Sequence, residues 1–300
     1  ISCVPSGKLV PTVVIRPSRM PTSINPVPLA AATVPPRMTV SNVPCVMLAS
    51  LSVRDVLAGL YRDAIRWKDR RENSSSRFEW QMTIYVVNPN SSQHVTDGVD
   101  RAVDPMRAAS PVAIETRTLR EGPPGIETQA HVDGVVTPML AHCAALEDGA
   151  SAFVVACYSD PALAALREQS DHPVIGIAEA SVLTAMMMGQ RFGIISILSA
   201  SIPRHLRALG VMGVLDRLAA DRPLELGVAD RADEGRTWER VVEVGTGLRD
   251  DAMADVLILG CAGMTAYRSR LEHALGVPVV EPCQAATAMA IGQVALRRAL

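Results

Sequence analysis

The stretch Gly260-Cys261-Ala262-Gly263-Met264 follows the apolar run Asp255-Val256-Leu257-Ile258-Leu259. A short apolar run of this kind predicts a buried strand, and the residues after it predict a turn into a helix. A second copy of the arrangement occurs earlier, where Phe153-Val154-Val155-Ala156 runs into Cys157-Tyr158-Ser159-Asp160-Pro161. The sequence therefore places two thiols at the ends of two matching strands.

The surroundings of the two cysteines also match. Cys157 is followed sixteen residues later by Pro173-Val174-Ile175-Gly176, and Cys261 seventeen residues later by Pro278-Val279-Val280-Glu281, each before an alanine-rich stretch. From residue 83 onward, apolar runs alternate with helical stretches, which predicts parallel sheets with right-handed crossovers. Strands are predicted at 83–87, 112–116, 152–156, 173–177, 191–197, 224–228, 255–259 and 278–280. We interpret the chain as a duplicated four-strand α/β unit; chance similarity of short apolar strands is the alternative.

Residues 1–81 differ from the rest of the chain. Nine prolines fall within residues 1–44, and proline removes backbone donors and interrupts helices and central strands. We expect a poorly ordered, proline-rich N-terminal arm over 1–81. The working protein is predicted to begin near Met82, and a targeting extension is the alternative.

Composition excludes several classes of partner. The net charge is −2 and no apolar run approaches the roughly 18 residues of a membrane helix, so we expect neither a nucleic-acid nor a membrane partner. The six cysteines form no C-x-x-C pair, which favours a reduced, cytoplasmic chain, and Cys143 and Cys283 are predicted to be buried core thiols. No histidine lies at zinc-ligand spacing, so no metal site is predicted. The charged segment 216–236 is interpreted as a solvated face with a loop.

The positions of Cys157 and Cys261 favour catalysis. Ligands of open parallel sheets bind beyond the carboxyl ends of the strands, where both cysteines fall. Helix N-termini beside them favour a thiolate. A thiolate on one side of a cleft and a thiol on the other can remove a proton from a carbon and return one to its opposite face. This predicts inversion of a stereocentre without metal or cofactor.

Five further residues are predicted to bind substrate. Asn88 and Asn90 end the first strand, where their amides can bind the polar groups of a substrate ring. An Asx turn with a helix cap explains these two residues equally well. Ser196 ends the corresponding strand of the second unit. Ser159 and Gly263 each lie two residues past a cysteine, so their backbone N–H groups can point into the cleft; a helix-capping role is the alternative for Ser159.

The two cysteine motifs, together with Asn88-Pro89-Asn90-Ser91 and Pro173 to Ala180, resemble the hydantoin racemase branch of the aspartate/glutamate racemase superfamily. The resemblance covers about residues 82–300. It implies two pseudo-symmetric flavodoxin-like domains with the site between them. Their predicted boundaries are 82–178 plus 281–300, and 179–280. It further implies that Cys157 and Cys261 are the acid/base pair, that no cofactor is needed, and that the chain forms a homo-oligomer.

The function hypothesis is racemisation of a small-molecule substrate, a 5-substituted hydantoin, through proton abstraction at C5. A neutral ring suits a cleft for which the sequence shows no obvious Arg or Lys clamp. Allantoin racemisation is the nearest alternative. An amino-acid racemase or arylmalonate decarboxylase is the next, although the decarboxylase chemistry needs only one of the two cysteines. A non-catalytic small-molecule binding protein is the alternative from another class.

Overall fold

Two parallel four-stranded sheets carry the fold of the computed structural model, which describes residues 82–226 and 234–299. The predicted arm over 1–81 lies outside these residues. The first sheet has the order β2-β1-β3-β4 and the second β6-β5-β7-β8. The strands are β1 Thr83–Asn88, β2 Ala113–Thr118, β3 Ala150–Val155, β4 Val174–Gly176, β5 Phe192–Ser196, β6 Leu218–Pro223, β7 Val256–Leu259 and β8 Val279–Val280. The repeated strand order confirms the predicted α/β fold with two parallel four-stranded sheets.

Helices connect the strands of each sheet. In the described residues they are α1 Gln93–Arg107, α2 Gln129–Gly134, α3 Val136–Ala144, α4 Leu163–Gln169, α5 Ile177–Met188, α6 Ile202–Met212, α7 Glu234–Asp250, α8 Arg268–Leu275 and α9 Pro282–Ala299. Ser92 caps α1 by accepting a hydrogen bond from the backbone N–H of Val95. Within 82–226 and 234–299, no helix is both long and apolar enough to cross a membrane.

The central core joins the two sheets. One cluster of buried side chains runs from β1 and β3 of the first sheet to β5 and β7 of the second, with Ile84, Val154, Ile194 and Ile258 among its members. The helices α5 and α9 pack against each other within this layer, and α9 also contacts β3 and β4. Two further clusters cover the outer sides of the sheets. The predicted domain boundaries remain a prediction.

One predicted strand was misplaced, and two helical regions show local detail. The sixth strand is Leu218–Pro223 rather than 224–228, because an edge strand with Asp221 and Arg222 lacks the continuous apolar run used to find it. The helices α2 and α3 meet at Val135, and Pro138 lies in the first turn of α3, where proline is tolerated. The helix after Cys261 begins as a 3-10 segment, Ala262–Tyr267, before α8.

Candidate active site

The backbone around the two cysteines repeats in detail. Ala156 N–H donates to Val87 O at 2.8 Å, and Gly260 N–H donates to Ile195 O at the same distance. The cysteine N–H groups turn back to their own strands. Cys157 donates to Val155 O at 3.0 Å, and Cys261 to Leu259 O at 2.8 Å. Each thiol is thus held two residues beyond a central strand by equivalent hydrogen bonds.

Both cysteines line one cavity of about 70 Å³. Its polar lining includes Asn90, Ser159, Arg204 and His205. Apolar side chains complete it: Val95, Ile126, Ile197 and Leu198. The two halves of the chain therefore contribute one thiol each to a shared space that suits a small ligand with polar edges.

The two sulfurs have different surroundings. Burial raises the pKa of the Cys157 thiol to about 12, and the nearby Cys261 and Asp160 add to this effect, while a hydrogen bond from the backbone N–H of Ser159 opposes it. Cys157 is therefore a thiol at neutral pH. Cys261 Sγ is partly exposed and accepts the backbone N–H of Gly263 at 3.4 Å. The N–H groups of Ser159 and Gly263 thus point at the sulfurs.

The predicted asparagines occupy different places. Asn88 is fully buried, and its Nδ2 donates to Asn90 Oδ1, Ser92 O and Thr96 Oγ1 at 3.0–3.2 Å. This is the turn-forming arrangement that was the alternative reading. Asn90 borders the cavity, where its Oδ1 is occupied by Asn88 and by the Ser92 N–H at 2.9 Å. Of the two side chains, only Asn90 is placed to meet a ligand directly.

Ser196 lies behind the cavity and does not line it. Its side chain is fully buried, and its Oγ donates to Asp221 Oδ1 and lies 3.2 Å from His205 Nδ1. His205 Nδ1 is also 2.7 Å from Asp221 Oδ2. Ser196 is therefore part of a buried polar group that supports a cavity residue.

Arg204 and Asp221, the carboxylate behind His205, were not predicted as site residues from the sequence. Arg204 lines the cavity from α6, although no cationic clamp was expected, and its Nη2 donates to Glu127 O at 3.0 Å. Burial lowers the pKa of this guanidinium, and interaction with Cys157 opposes the shift. Asp221 was assigned to a solvated face, but its side chain is only 1% exposed. The only sequence feature that marked Asp221 was its position. It lies two residues before the proline that ends an alanine-containing segment.

Asp160 fixes the loop that carries Cys157. Its backbone N–H donates to Cys157 O at 2.9 Å, and its two carboxylate oxygens accept the N–H groups of Ala178 and Glu179 at 3.0 and 2.9 Å. These are first-turn donors of α5, which have no partner within a helix. Burial raises the pKa of Asp160 to about 7. Asp160 therefore joins the Cys157 turn to the start of α5.

Cys143 and Cys283 are both fully enclosed, as predicted for core thiols. Cys143 is 1% exposed and packs with Val135 and Met139, and Cys283 is 0% exposed at the start of α9. Burial raises the pKa of Cys143 to about 12. Neither thiol lines the cavity, which separates them from Cys157 and Cys261.

Comparison with known proteins gives the family. The family model described as Asp/Glu/Hydantoin racemase matches residues 84–290. A hydantoin racemase of Paenarthrobacter aurescens is 34% identical over 219 residues, which cover 72% of this chain and 92% of that protein. The structure of an allantoin racemase from Klebsiella pneumoniae is 31% identical, with a TM-score of 0.65, and the match covers 72% of this chain and 89% of that one. An allantoin racemase from Pseudomonas fluorescens is 26% identical, with a TM-score of 0.67, over 72% of this chain and 92% of that one. This chain belongs to the Asp/Glu/hydantoin racemase family and is an isomerase of the racemase type.

Proposed function

We propose that the protein racemises a 5-substituted hydantoin, with Cys157 and Cys261 exchanging the C5 proton. The observation that carries the proposal is the placement of both thiols on one small cavity, each from the same position of a repeated unit. Similarity to hydantoin racemases supports the choice of substrate. The two thiols supply both proton transfers, so the proposed reaction needs no cofactor.

The chemistry follows from the acidity of C5. One sulfur, as thiolate, takes the C5 proton; the C–H electron pair moves into the ring and the adjacent carbonyl becomes an enolate. The other sulfur, as thiol, gives its proton to the opposite face of C5, and the carbonyl is restored. The reaction ends with the two protonation states exchanged and the stereocentre inverted. Charge on the enolate oxygen needs donors in the cavity, and the proposed donors are the side chains of Asn90 and Arg204, which line it.

The assignment of acid and base follows from the environment of Cys157. Cys157, whose pKa is raised to about 12, holds its proton and is the acid in the first turnover. Cys261, the other thiol on the same cavity, is then assigned as the base, and its sulfur accepts the backbone N–H of Gly263. Because each turnover exchanges the two protonation states, it leaves the thiols ready for the opposite enantiomer. A second turnover of the first enantiomer requires that a proton move back from Cys261 to Cys157.

Allantoin is the second candidate substrate. It is a hydantoin with a ureido group at C5, and that group needs hydrogen-bond partners. Glu127, Ser201 and Arg204 give the cavity polar side chains beside its apolar wall. Similarity to the two allantoin racemase structures adds support. An apolar substituent would instead contact Ile126 and Leu198.

The substrate proposal is tested by polarimetry. Loss of rotation is followed for L-5-benzylhydantoin, L-5-methylthioethylhydantoin and (S)-allantoin, with the purified protein dialysed against a chelator. Exchange of the C5 proton for deuterium is monitored by NMR in the same samples. Racemisation of a hydantoin in preference to allantoin supports the first candidate, and the reverse preference supports the second. Absence of exchange for all three compounds would reject both.

The acid/base assignment is tested with Cys157→Ser and Cys261→Ser. Each should abolish racemisation, while slow deuterium exchange from one enantiomer can survive. Cys143→Ala is the matched control, because this buried thiol lies away from the cavity, and it should keep its activity. Full racemisation by either serine variant would reject the two-thiol assignment.

A further inference from the structure

A buried trio of polar side chains stands behind the cavity wall. Ser196 ends β5, Asp221 lies in the adjacent edge strand β6, and His205 lies on α6. Their side chains are 5% exposed or less. His205 alone among the three lines the cavity. The trio therefore links the interior of the second sheet to the ligand space through one imidazole.

The hydrogen bonds decide which ring nitrogen carries a proton. His205 Nδ1 is 2.7 Å from Asp221 Oδ2 and 3.2 Å from Ser196 Oγ. Ser196 already donates its hydroxyl proton to Asp221 Oδ1. A carboxylate can only accept, so Nδ1 must be the N–H donor to Asp221. In a neutral imidazole the proton on Nδ1 leaves Nε2 as an acceptor.

This arrangement differs from a nucleophilic triad. In a Ser-His-Asp relay, the serine and the aspartate contact different nitrogens of the imidazole. Here Ser196 and Asp221 share the same nitrogen, Nδ1. His205 cannot pass a proton from this serine to its other nitrogen, so the trio is not built to activate Ser196. Its geometry instead fixes the orientation of the ring.

An aromatic contact also restrains the imidazole ring. The Tyr158 ring meets His205 edge-to-face, with centroids 5.0 Å apart and an interplanar angle of 81°. Tyr158 directly follows Cys157 and is itself buried. With Nδ1 held by Asp221, Nε2 is the ring nitrogen left for a ligand.

We propose that His205 is a substrate-binding residue whose Nε2 accepts a hydrogen bond from a ring N–H of the cyclic ureide. Asp221 and Ser196 act through it as positioning residues. This inference rests on the proposed function and deepens it: the substrate class is restricted to ureides with a free N–H at one ring position. Two groups then orient the ring between the thiols, His205 for an N–H edge and the cavity donors for the carbonyl edge.

The test compares His205→Asn with His205→Gln. An Asn amide can replace Nδ1–H as the donor to Asp221 but has nothing at the Nε2 position, whereas a Gln side chain can bring an acceptor oxygen towards that position. The substrates are 5-benzylhydantoin and its N1-methyl and N3-methyl derivatives. We expect the unmodified protein to lose about tenfold or more in kcat/KM on one of the two methylations, since methylation removes the donor and leaves the acceptor unpaired.

His205→Asn should lower kcat/KM for the parent compound by about tenfold, mainly through KM, and should abolish the discrimination between the parent and that methyl derivative. His205→Gln should retain part of the kcat/KM for the parent compound and part of the discrimination between the parent and the methyl derivative. If both variants have the same thermal stability as the unmodified protein, a folding defect is excluded as the cause. Unchanged discrimination in His205→Asn, or indifference of the unmodified protein to both methylations, would overturn the inference and leave the proposed function intact. Failure of the unmodified protein to racemise any cyclic ureide would overturn both.

Discussion

Replacing Gly176 by alanine tests whether the Cys157 loop depends on Asp160. Gly176 has φ −86° and ψ 141°, which alanine adopts without strain. The cost is steric, because a Cβ at this position would lie 2.3 Å from both Cγ and Oδ2 of Asp160. Ordinary contact begins at 3.4 Å, so the carboxylate must retreat by about 1 Å. Its bonds to Ala178 N–H and Glu179 N–H, now 3.0 and 2.9 Å, would open beyond hydrogen-bonding distance.

The magnitude follows from the two lost bonds. Above its pKa of about 7 the Asp160 carboxylate is ionised, and each hydrogen bond to a charged group contributes about 1.5–3 kcal/mol. The reduced entropy of the unfolded alanine chain returns about 0.4–1 kcal/mol. We therefore expect Gly176→Ala to lower the free energy of unfolding by about 2–5 kcal/mol. At about 2–4 °C per kcal/mol for a chain of this size, the Tm falls by roughly 4–20 °C. Racemisation should weaken as well, because Asp160 N–H closes the turn at Cys157 O.

The assay is urea denaturation followed by circular dichroism, with Gly292→Ala as the control. Gly292 lies within α9, and a Cβ there meets no atom within 4 Å, so this substitution should stabilise the protein by about 1 kcal/mol. A double-mutant cycle with Asp160→Ala isolates the clash: once the carboxylate is gone, Gly176→Ala should cost little further. A Gly176→Ala protein as stable as the unmodified one, or an equal cost in both backgrounds, would refute the reasoning.

Three further predictions concern the cavity. Gly260→Ala should destabilise the fold and reduce activity, because a Cβ there would lie 2.8 Å from the backbone oxygen of Ile195; normal activity with an unchanged Tm would contradict this. The alkylation rate of Cys157 by iodoacetamide, measured by peptide mass spectrometry, should rise about tenfold per pH unit from pH 8 to 11, since its pKa is raised to about 12. Because the raised pKa favours the thiol in the folded state, the contribution of Cys157 to stability is complete below its ordinary pKa of 9.0 and is lost as the pH rises towards 12. A plateau in the alkylation rate near pH 9 would disprove the raised pKa of Cys157. Arg204→Lys should raise KM about two- to tenfold with little change in Tm, because lysine cannot hold both Glu127 O and Ala200 O; an unaltered KM would show that these bonds do not shape the cavity.

Much of the fold was readable from local pattern. Apolar runs bounded by turn residues located seven of the eight strands that the structure describes. Six of these seven are buried along their whole length, β2 being the exception, and strands buried on both faces read as continuous hydrophobic segments. The strand that was misplaced is the edge strand β6, whose residues are only partly buried. An edge strand has one unpaired side and a wetter surface, so its sequence carries less of the apolar signal.

The candidate site was only partly readable. Cys157, Cys261 and Asn90 could be named because they follow recognisable strands, and the structure places all three on one cavity. Asn88 and Ser196 were selected by the same rule, yet both are consumed by internal hydrogen bonds. Position at a strand end does not reveal which way a side chain points or what satisfies its polar atoms.

The sequence by itself determined a duplicated α/β chain with a thiol after the third strand of each half, since strand periodicity and residue order are local properties. Only the tertiary structure decided that Arg204 and His205 border the same cavity as the thiols, and that Asp221 supports His205 from a neighbouring strand. These side chains lie on one helix and one edge strand, and their meeting depends on how β5 pairs with β6 and how α6 packs over them. Long-range packing of this kind leaves no periodic trace in the sequence, because a buried charge needs only one partner and that partner can lie anywhere along the chain.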